Sequence, residues 1–499
     1  MAINQLIFGK NSQNKKSQTI LPREKIFHFK PADSYSPRIY LFILRTFEIM
    51  KNENLLKTNQ RLNDQIKALI LKNEQLHLSI SELELQLKDE FQPNDESSFK
   101  VKGITVLYIE LQGHKEILEE SSSEQLYDVL DELYIKFNEI ALKHKAQRVK
   151  VIGDYYVCAG GIDQSNSTNP IDIALIALEI NHYLHAIYEE HQLAGKAFWN
   201  LRIGIHSGNG RVAVKGQKNK SYTLTGEVIN TLPRIASMCA SGEVFISDYT
   251  YELIKSYFQC DYIKELPAKY RGNLSLYHLK RIKRIYSVNR KVGIAPNEDF
   301  MLKYLLRQFN DIERKVLDFL QEKLPKNLHY HNYCHTIDVV NQTELIGIGE
   351  GVSDEHLLLL KTAALFHDAG HTVQSPNHEH YSTLIAREWL PNYSYSESQI
   401  DTICEIIMAT QLPPEPKNLL EKIICDSDLD YLGRADFIPG SNALFEELKA
   451  LNIITDLNEW NKLQVKFLSA HSFFTATSLR LREVNKQSQI DRIENLIIK

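Results

Sequence analysis

The chain has 499 residues, 43% of them hydrophobic and 24% charged, with 21 Gly and 15 Pro. At roughly 150 residues per domain this sets an expectation of about three folding units, and the composition excludes a chain that is low-complexity or disordered throughout. Lys+Arg 58 against Asp+Glu 63 gives a formal charge of -5, too mild for a chain built to neutralise a phosphate backbone, so nucleic acid is not an expected partner.

The first thirty residues carry six basic side chains and one acidic, and 1–45 read as a solvated basic tail. From Asn52 the pattern changes. Leu55, Leu62, Leu69, Leu76 and Leu83 recur every seven residues, interleaved with Asn59, Ile66, Asn73, Ile80 and Leu87. Leu at d with Asn or Ile at a predicts a parallel two-stranded coiled coil over 46–92, because a buried Asn is tolerated when it pairs with its mate. The segment FQPNDESS (91–98) ends it. Between about Phe99 and Ile282, strand-like runs (Ile104–Ile109, Val149–Val157, Val244–Ile246) mix with helical patterns (Gln125–Lys145, Pro170–His191), predicting an α+β or α/β domain. A basic, Pro-containing linker follows at 283–297. Beyond it strands vanish, and 298–499 read as an all-α domain holding eight of the chain's 18 histidines between His329 and His380.

Purely apolar stretches such as Tyr40–Leu44 and Leu357–Leu360 fall far short of the ~20 residues that span a bilayer, and no apolar signal core opens the chain. Cys158, Cys239, Cys260, Cys334, Cys404 and Cys425 stand singly, without a CxxC pair. Reduced thiols and a cytoplasmic, soluble protein are the expectation.

In the middle domain, Val-Leu-Tyr-Ile-Glu110 ends an apolar run in a carboxylate, and Lys150-Val-Ile-Gly-Asp154 places a second at a glycine turn. Two carboxylates at adjacent strand ends offer the hard oxygen ligands Mg²⁺ requires. Arg202-Ile-Gly-Ile-His206-Ser-Gly follows, then Tyr222-Thr-Leu-Thr-Gly-Glu-Val-Ile-Asn230-Thr-Leu-Pro-Arg234, where Asn230 and Arg234 share a helix face. In this order and spacing, residues 99–282 resemble the class III adenylate/guanylate cyclase family. The resemblance implies a ferredoxin-like α+β fold and a homodimer with active sites at the subunit interface. It implies two Mg²⁺ or Mn²⁺ ions at Glu110 and Asp154, assisted by the Leu111 carbonyl, and ATP or GTP cyclised by its own 3′-hydroxyl. Asn230 would orient the ribose and Arg234 would meet charge developing on the α-phosphate. Lys150 and Thr223 occupy the base-reading positions. An ammonium only donates, which suits adenine N1, so ATP giving cyclic AMP is expected over GTP. Lys269 and Arg271 are candidates for the triphosphate. The family usually has Asp at the position of Glu110, and the extra methylene displaces a ligand of a near-octahedral ion. A cyclase-like domain that only binds nucleotide and regulates its neighbour is therefore the alternative.

In the helical domain, Tyr330-His331-Asn332-Tyr-Cys-His335 is followed by an apolar run ending in His367-Asp368-Ala-Gly-His371, then Asn377-His378-Glu379, then Cys425-Asp426-Ser-Asp428-Leu-Asp430. Histidine and aspartate converging from separate helices is how a helical bundle builds a metal site. The set resembles the HD-superfamily metal-dependent phosphohydrolases over about 300–485. The resemblance implies a divalent transition metal or Mg²⁺ held by His335, His367, Asp368 and Asp428, with Asp426 the rival for the last place. It also implies His331 as the acid protonating the leaving oxygen, with His371, His378 and Glu379 near a second metal or the substrate phosphate. The whole chain is then a homodimeric signalling enzyme: a coiled coil, a cyclase and an HD phosphohydrolase in series.

Overall fold

The computed structural model describes residues 97–498 apart from 114–116, 118–122, 150–154, 163–165, 194–197, 217–219 and 269–271. The expected tail and coiled coil, and Lys150, Asp154, Lys269 and Arg271, lie outside the described residues.

The first domain is an α+β sheet. Its elements are β1 (Ser97–Gln112), α1 (Ser123–Lys143), β2 (Gln147–Arg148), β3 (Tyr155–Gly160), α2 (Asn169–Leu193), β4 (Asn200–Lys215), β5 (Ser221–Thr225), α3 (Glu227–Ala236), β6 (Glu243–Ser247), α4 (Asp248–Ile254), β7 (Phe258–Ala268) and β8 (Gly272–Ile282). The strands lie in the order β2-β3-β1-β4-β6-β8-β7, with β5 paired to β4. Every pair is antiparallel except β4–β6, which are joined by a crossover through α3, as a parallel pair requires.

The period-two alternation of β1 decides what covers each face. Leu107, Ile109 and Leu111 are buried with α1 and α2, while Ile104, Val106 and Tyr108 are buried with Val228 and Leu232 of α3. Gly204 of β4 lets α3 lie directly on the sheet: a Cβ there would come within 3.1 Å of the Leu232 carbonyl oxygen and the Ala236 nitrogen.

The rest of the described chain is helical: α5 (Glu298–Lys323), α6 (Tyr333–Gly349), α7 (Asp354–Phe366), α8 (His378–Trp389), α9 (Glu397–Met408), α10 (Leu419–Asp428), α11 (Phe437–Ala450), α12 (Leu457–Ala470) and α13 (Val484–Glu494). Helix α5 also belongs to the sheet domain's core. Its Phe300, Tyr304, Leu305 and Phe309 share one apolar cluster with Ile171, Leu175 and Leu178 of α2. The Tyr304 hydroxyl donates to Asp172 Oδ1 at 2.8 Å, and Ser167 donates its amide and hydroxyl to Asp311 Oδ2, each at 2.7 Å. Every residue from Asn169 to Leu178 is buried because α2 lies on the sheet, is flanked by α1 and α4, and meets α5 at its start. A helix apolar all round needs two partners.

Candidate active sites

The motifs of the sheet domain fall in two places. Glu110 stands near the end of β1, opposite Tyr155 of β3 and Arg202 of β4, and by alternation shares the face of Val106 and Tyr108. Thr223 lies on β5 opposite Ala213, and an isolated bridge joins Val149 to Tyr222, setting the residues that precede Lys150 and Thr223 side by side. Helix α3 opens at Gly226, which holds a φ of 117. It buries Val228, Leu232, Ile235 and Ala236, which leaves Asn230 and Arg234 exposed on the opposite face. Asn230 and Arg234 line a cleft of about 910 Å³ with His206, Asn209, Asp248 and Leu266. The Arg234 guanidinium donates to the Pro267 carbonyl of β7 at 2.5 Å.

Buried hydroxyls fix the cleft floor: His206 Nδ1 meets Ser247 Oγ at 2.8 Å, and Thr250 Oγ1 lies 3.0 Å from the hydroxyls of both Ser247 and Ser207. The sheet register sets Val106, not Glu110, opposite His206. Glu110 is thus displaced four residues, about 13 Å, along β1. Glu110 is not among the residues that line this cleft.

In the helical domain the motif residues come together. Asn332 is the N-cap of α6, its side chain accepting from the Cys334 and His335 amides at 2.8 and 3.4 Å. This explains the spacing of His331-Asn332-x-x-His335: the cap sets one histidine just outside the helix and the other in its first turn. Helix α7 is buried from Leu358 to Leu360 and from Thr362 to Phe366 and delivers His367 and Asp368 at its buried end. A short 3₁₀ turn (Ala369–Thr372) carries His371, and α8 begins at His378. Gly370 lies between them: a Cβ there would overlap the His378 carbonyl oxygen and stand 2.8 Å from the Ser382 nitrogen.

Asp368 is the hub. His367 Nε2 lies 3.2 Å and His335 Nε2 3.6 Å from its Oδ2, while His378 Nε2 lies 3.3 Å and His371 Nε2 3.9 Å from its Oδ1. Asp428 Oδ1 is 3.1 Å from His335 Nε2 and 3.5 Å from His367 Nε2. Two triads with ligand atoms within 4.8 Å of one another share this carboxylate: His335–His367–Asp368 and His331–Asp368–His371.

Three alternating aspartates, indistinguishable in the sequence, part company here. Asp426 accepts from the Phe474 amide and from the Thr475 amide and hydroxyl at 2.9, 2.8 and 2.6 Å. Asp430 pairs with Arg482 at 2.7 Å. Asp428 alone faces the histidines.

The donor set fits a divalent cation. His367 Nδ1–H donates to the Ala364 carbonyl at 2.7 Å, turning the Nε2 lone pair inward, as metal-bound histidines are oriented. His367 Nε2, Asp368 Oδ2 and His371 Nε2 are buried without a hydrogen-bond partner, an arrangement costly in free energy until something binds them. Burial opposes charge on His367, but Asp368 and Asp428 hold it well above the ordinary histidine range: the carboxylates attract positive charge to this point. Burial pushes His371 down to about 3, so it stays neutral, the form a metal would require.

One residue of the candidate site escaped the sequence reading. Glu447 of α11, buried, accepts from His331 Nδ1 at 2.5 Å, from the His331 amide at 3.0 Å and from the Tyr330 amide at 2.9 Å. No motif surrounds it, and 116 residues separate it from His331.

Residues 97–281 match the family model described as Adenylate and Guanylate cyclase catalytic domain, and 332–430 match that of the HD domain. The chain carries a class III adenylate/guanylate cyclase catalytic domain and an HD domain. Human guanylyl cyclase C is 32% identical over 185 residues, 36% of this chain and 17% of that protein. The receptor-type guanylate cyclase gcy-8 of Caenorhabditis elegans is 28% identical over 197 residues, 39% of this chain and 17% of that protein. The chain thus spans about 17% of the length of the curated relatives it matches. Among solved structures, the guanylate cyclase domain of RhGC from Catenaria anguillulae in complex with GTP is 25% identical, with a TM-score of 0.32, over 37% of this chain and 100% of that one. The adenylyl cyclase CyaB from P. aeruginosa is 23% identical, with a TM-score of 0.34, over 37% and 95%. Among the described residues, no helix is long and apolar enough to cross a membrane.

Proposed function

We propose that the chain joins two phosphorus chemistries: a homodimeric cyclase converting ATP to cyclic AMP and pyrophosphate, and an HD phosphohydrolase acting on a phosphoester. The observation that carries the hydrolase reading is the set of buried, unpartnered donor atoms of His367, Asp368 and His371. His335, His367, Asp368 and Asp428 would hold one divalent ion, and Asp368, His371 and His378 would stand near a second. When bound, such ions neutralise phosphate charge and acidify water. Glu447 fixes the His331 tautomer by accepting from Nδ1 and, with Asp368, favours its protonated form against the opposing effect of burial. That leaves a proton at Nε2 for the departing ester oxygen.

In the cyclase reading, Glu110 and Asp154 of one chain hold two Mg²⁺ or Mn²⁺ ions. The partner brings Lys150 and Thr223 to the base, Asn230 to the ribose, and Arg234, Lys269 and Arg271 to the phosphates. That Glu110 does not line the cleft of Asn230 and Arg234 supports a site completed by a second copy. GTP is the second reading, favoured by the guanylyl cyclases among the relatives. Purified full-length protein incubated with ATP or GTP and Mg²⁺ or Mn²⁺, with products resolved by chromatography, separates the two. Equal silence of wild type and Arg234→Ala under all conditions would leave only a nucleotide-binding regulator. A Glu110→Asp variant that gains activity would locate the fault in the extra methylene. For the HD site, loss of bound metal in His367→Ala, read by elemental analysis beside hydrolysis of cyclic AMP, cyclic GMP and simple phosphoesters, is the expected result. Full metal retention would overturn it.

A further inference from the structure

Between Glu265 and Glu298 the chain has eight Lys or Arg and no acidic residue. The later part of this stretch forms a closed loop. Beyond β8, Arg284–Tyr286 make a 3₁₀ turn, Ser287 bridges Pro296, and the Val288 amide donates to the Ala295 carbonyl at 3.0 Å. At the tip the Asn289 side chain accepts from the Lys291 and Val292 amides at 3.0 and 3.3 Å. The Ile282 amide donates to the Gly293 carbonyl at 2.8 Å. Gly293, at a φ of +71, packs so closely on Arg281 that a Cβ would stand 2.8 Å from the Arg281 Cβ.

This well-fixed loop presents an unusual set of side chains. Ile285 is 64% exposed, Val288 71% and Val292 40%, all aliphatic and all within one short stretch. Arg284, Arg290 and Lys291 are exposed and, among the described residues, have no carboxylate partner, whereas the neighbouring Lys280 pairs with Asp261 and Arg281 donates to Gln259. The nearest acids in sequence, Glu298 and Asp299, occupy the first turn of α5.

Unpaired cations interleaved with exposed aliphatic side chains match the interfacial zone of an anionic bilayer, where the cations meet lipid phosphates and the aliphatics leave water. A nucleic acid would engage only the cations, through its phosphates, and leave the aliphatic side chains in water. We infer that the loop 284–293 is a peripheral docking surface for anionic phospholipid membranes.

Co-sedimentation of the full chain with vesicles of phosphatidylcholine, alone or with about one-third phosphatidylserine, tests this. Binding to the phosphatidylserine vesicles is expected, absent from the neutral ones and lost as salt rises from about 0.1 to about 0.5 M. Reversing Arg284, Arg290 and Lys291 together to Glu should lower partitioning by about a hundredfold or more. Ile285→Ser with Val288→Ser and Val292→Ser should weaken binding while its salt dependence persists. Both variants should unfold at the wild-type temperature, since the substituted side chains are exposed. Wild-type protein that ignores phosphatidylserine, a charge-reversed variant that partitions like wild type, or binding to duplex DNA or polyglutamate without binding to vesicles would each overturn the inference.

Discussion

Replacing Gly370 with Ala tests how tightly the HD centre is assembled. The new Cβ would overlap the His378 carbonyl oxygen and lie 2.8 Å from both the His378 carbonyl carbon and the Ser382 nitrogen. All three atoms are backbone, so no side chain can swing aside. Relief requires the 3₁₀ turn and the start of α8 to separate by on the order of 1 Å. That motion pulls on the Ser382 hydroxyl, which accepts from the Gly370 amide at 2.8 Å and donates to the His367 carbonyl at 2.6 Å. It also draws His378 away from Asp368 Oδ1, now 3.3 Å distant. Metal–ligand distances tolerate only about 0.2 Å, so the shift exceeds what a site spanning both elements can absorb. Overpacking of this kind costs about 1–3 kcal/mol in a core. The expected result is a lowered unfolding temperature together with reduced bound metal in elemental analysis. Gly208→Ala, whose nearest neighbour would be 3.8 Å away, should leave the metal content unchanged. A Gly370→Ala protein with full metal and wild-type stability would refute the reasoning.

Further substitutions separate roles that sit close together. Asp426→Asn, which disturbs acceptance from three donors of the Phe474–Thr475 turn, should cost about 1–3 kcal/mol in thermal unfolding and keep the metal. Asp428→Asn should do the reverse, and equal metal loss in both would contradict the division. Glu447→Gln removes the charge that orients His331 and should slow hydrolysis by about a hundredfold or more at unchanged metal content; parallel loss of metal would instead make His331 a ligand. Burial pushes the Asp172 carboxyl up to about 7, against the Tyr304 hydroxyl and Lys145. The folded chain then holds a proton that the unfolded chain releases above pH ~4, so this group subtracts stability progressively as pH rises from ~4 to ~7, by on the order of 4 kcal/mol in all. Asp172→Asn should flatten that decline and unfold at a higher temperature than wild type at pH 8; an unchanged pH profile would place the carboxyl's titration elsewhere.

What could be read in the sequence was whatever lies close together along the chain. Asn332 as a cap, His335 one turn in, and His367-Asp368 at the end of an apolar helix are local arrangements, and the residue types reveal them. The choice among Asp426, Asp428 and Asp430 was not legible, because it depends on which helix-end partners, Thr475, His335 or Arg482, lie opposite each carboxylate. Glu447 was invisible for the same reason: its role comes from the fold of α11 against the start of α6.

The joint between the domains shows how close the sequence came. Pro170–His191 was readable as a helix, and Asn169 to Leu178 leave it no polar face along its first half. A sheet covers one side only, so such a helix demands a second apolar partner. The candidate was in view: α5 repeats Phe300, Tyr304, Phe309, Ile312 and Val316 along one buried stripe. Helices α1 and α4 flank α2, and α5 adds the partner at its buried start. Residues 283–297 therefore connect two modules that share one core, and Tyr304, which donates to the buried Asp172, ties the first helix after the connection to the helix under the sheet. Removing α5 would uncover Asp172 and the start of α2, so a chain cut before Glu298 should unfold at a lower temperature in its cyclase domain.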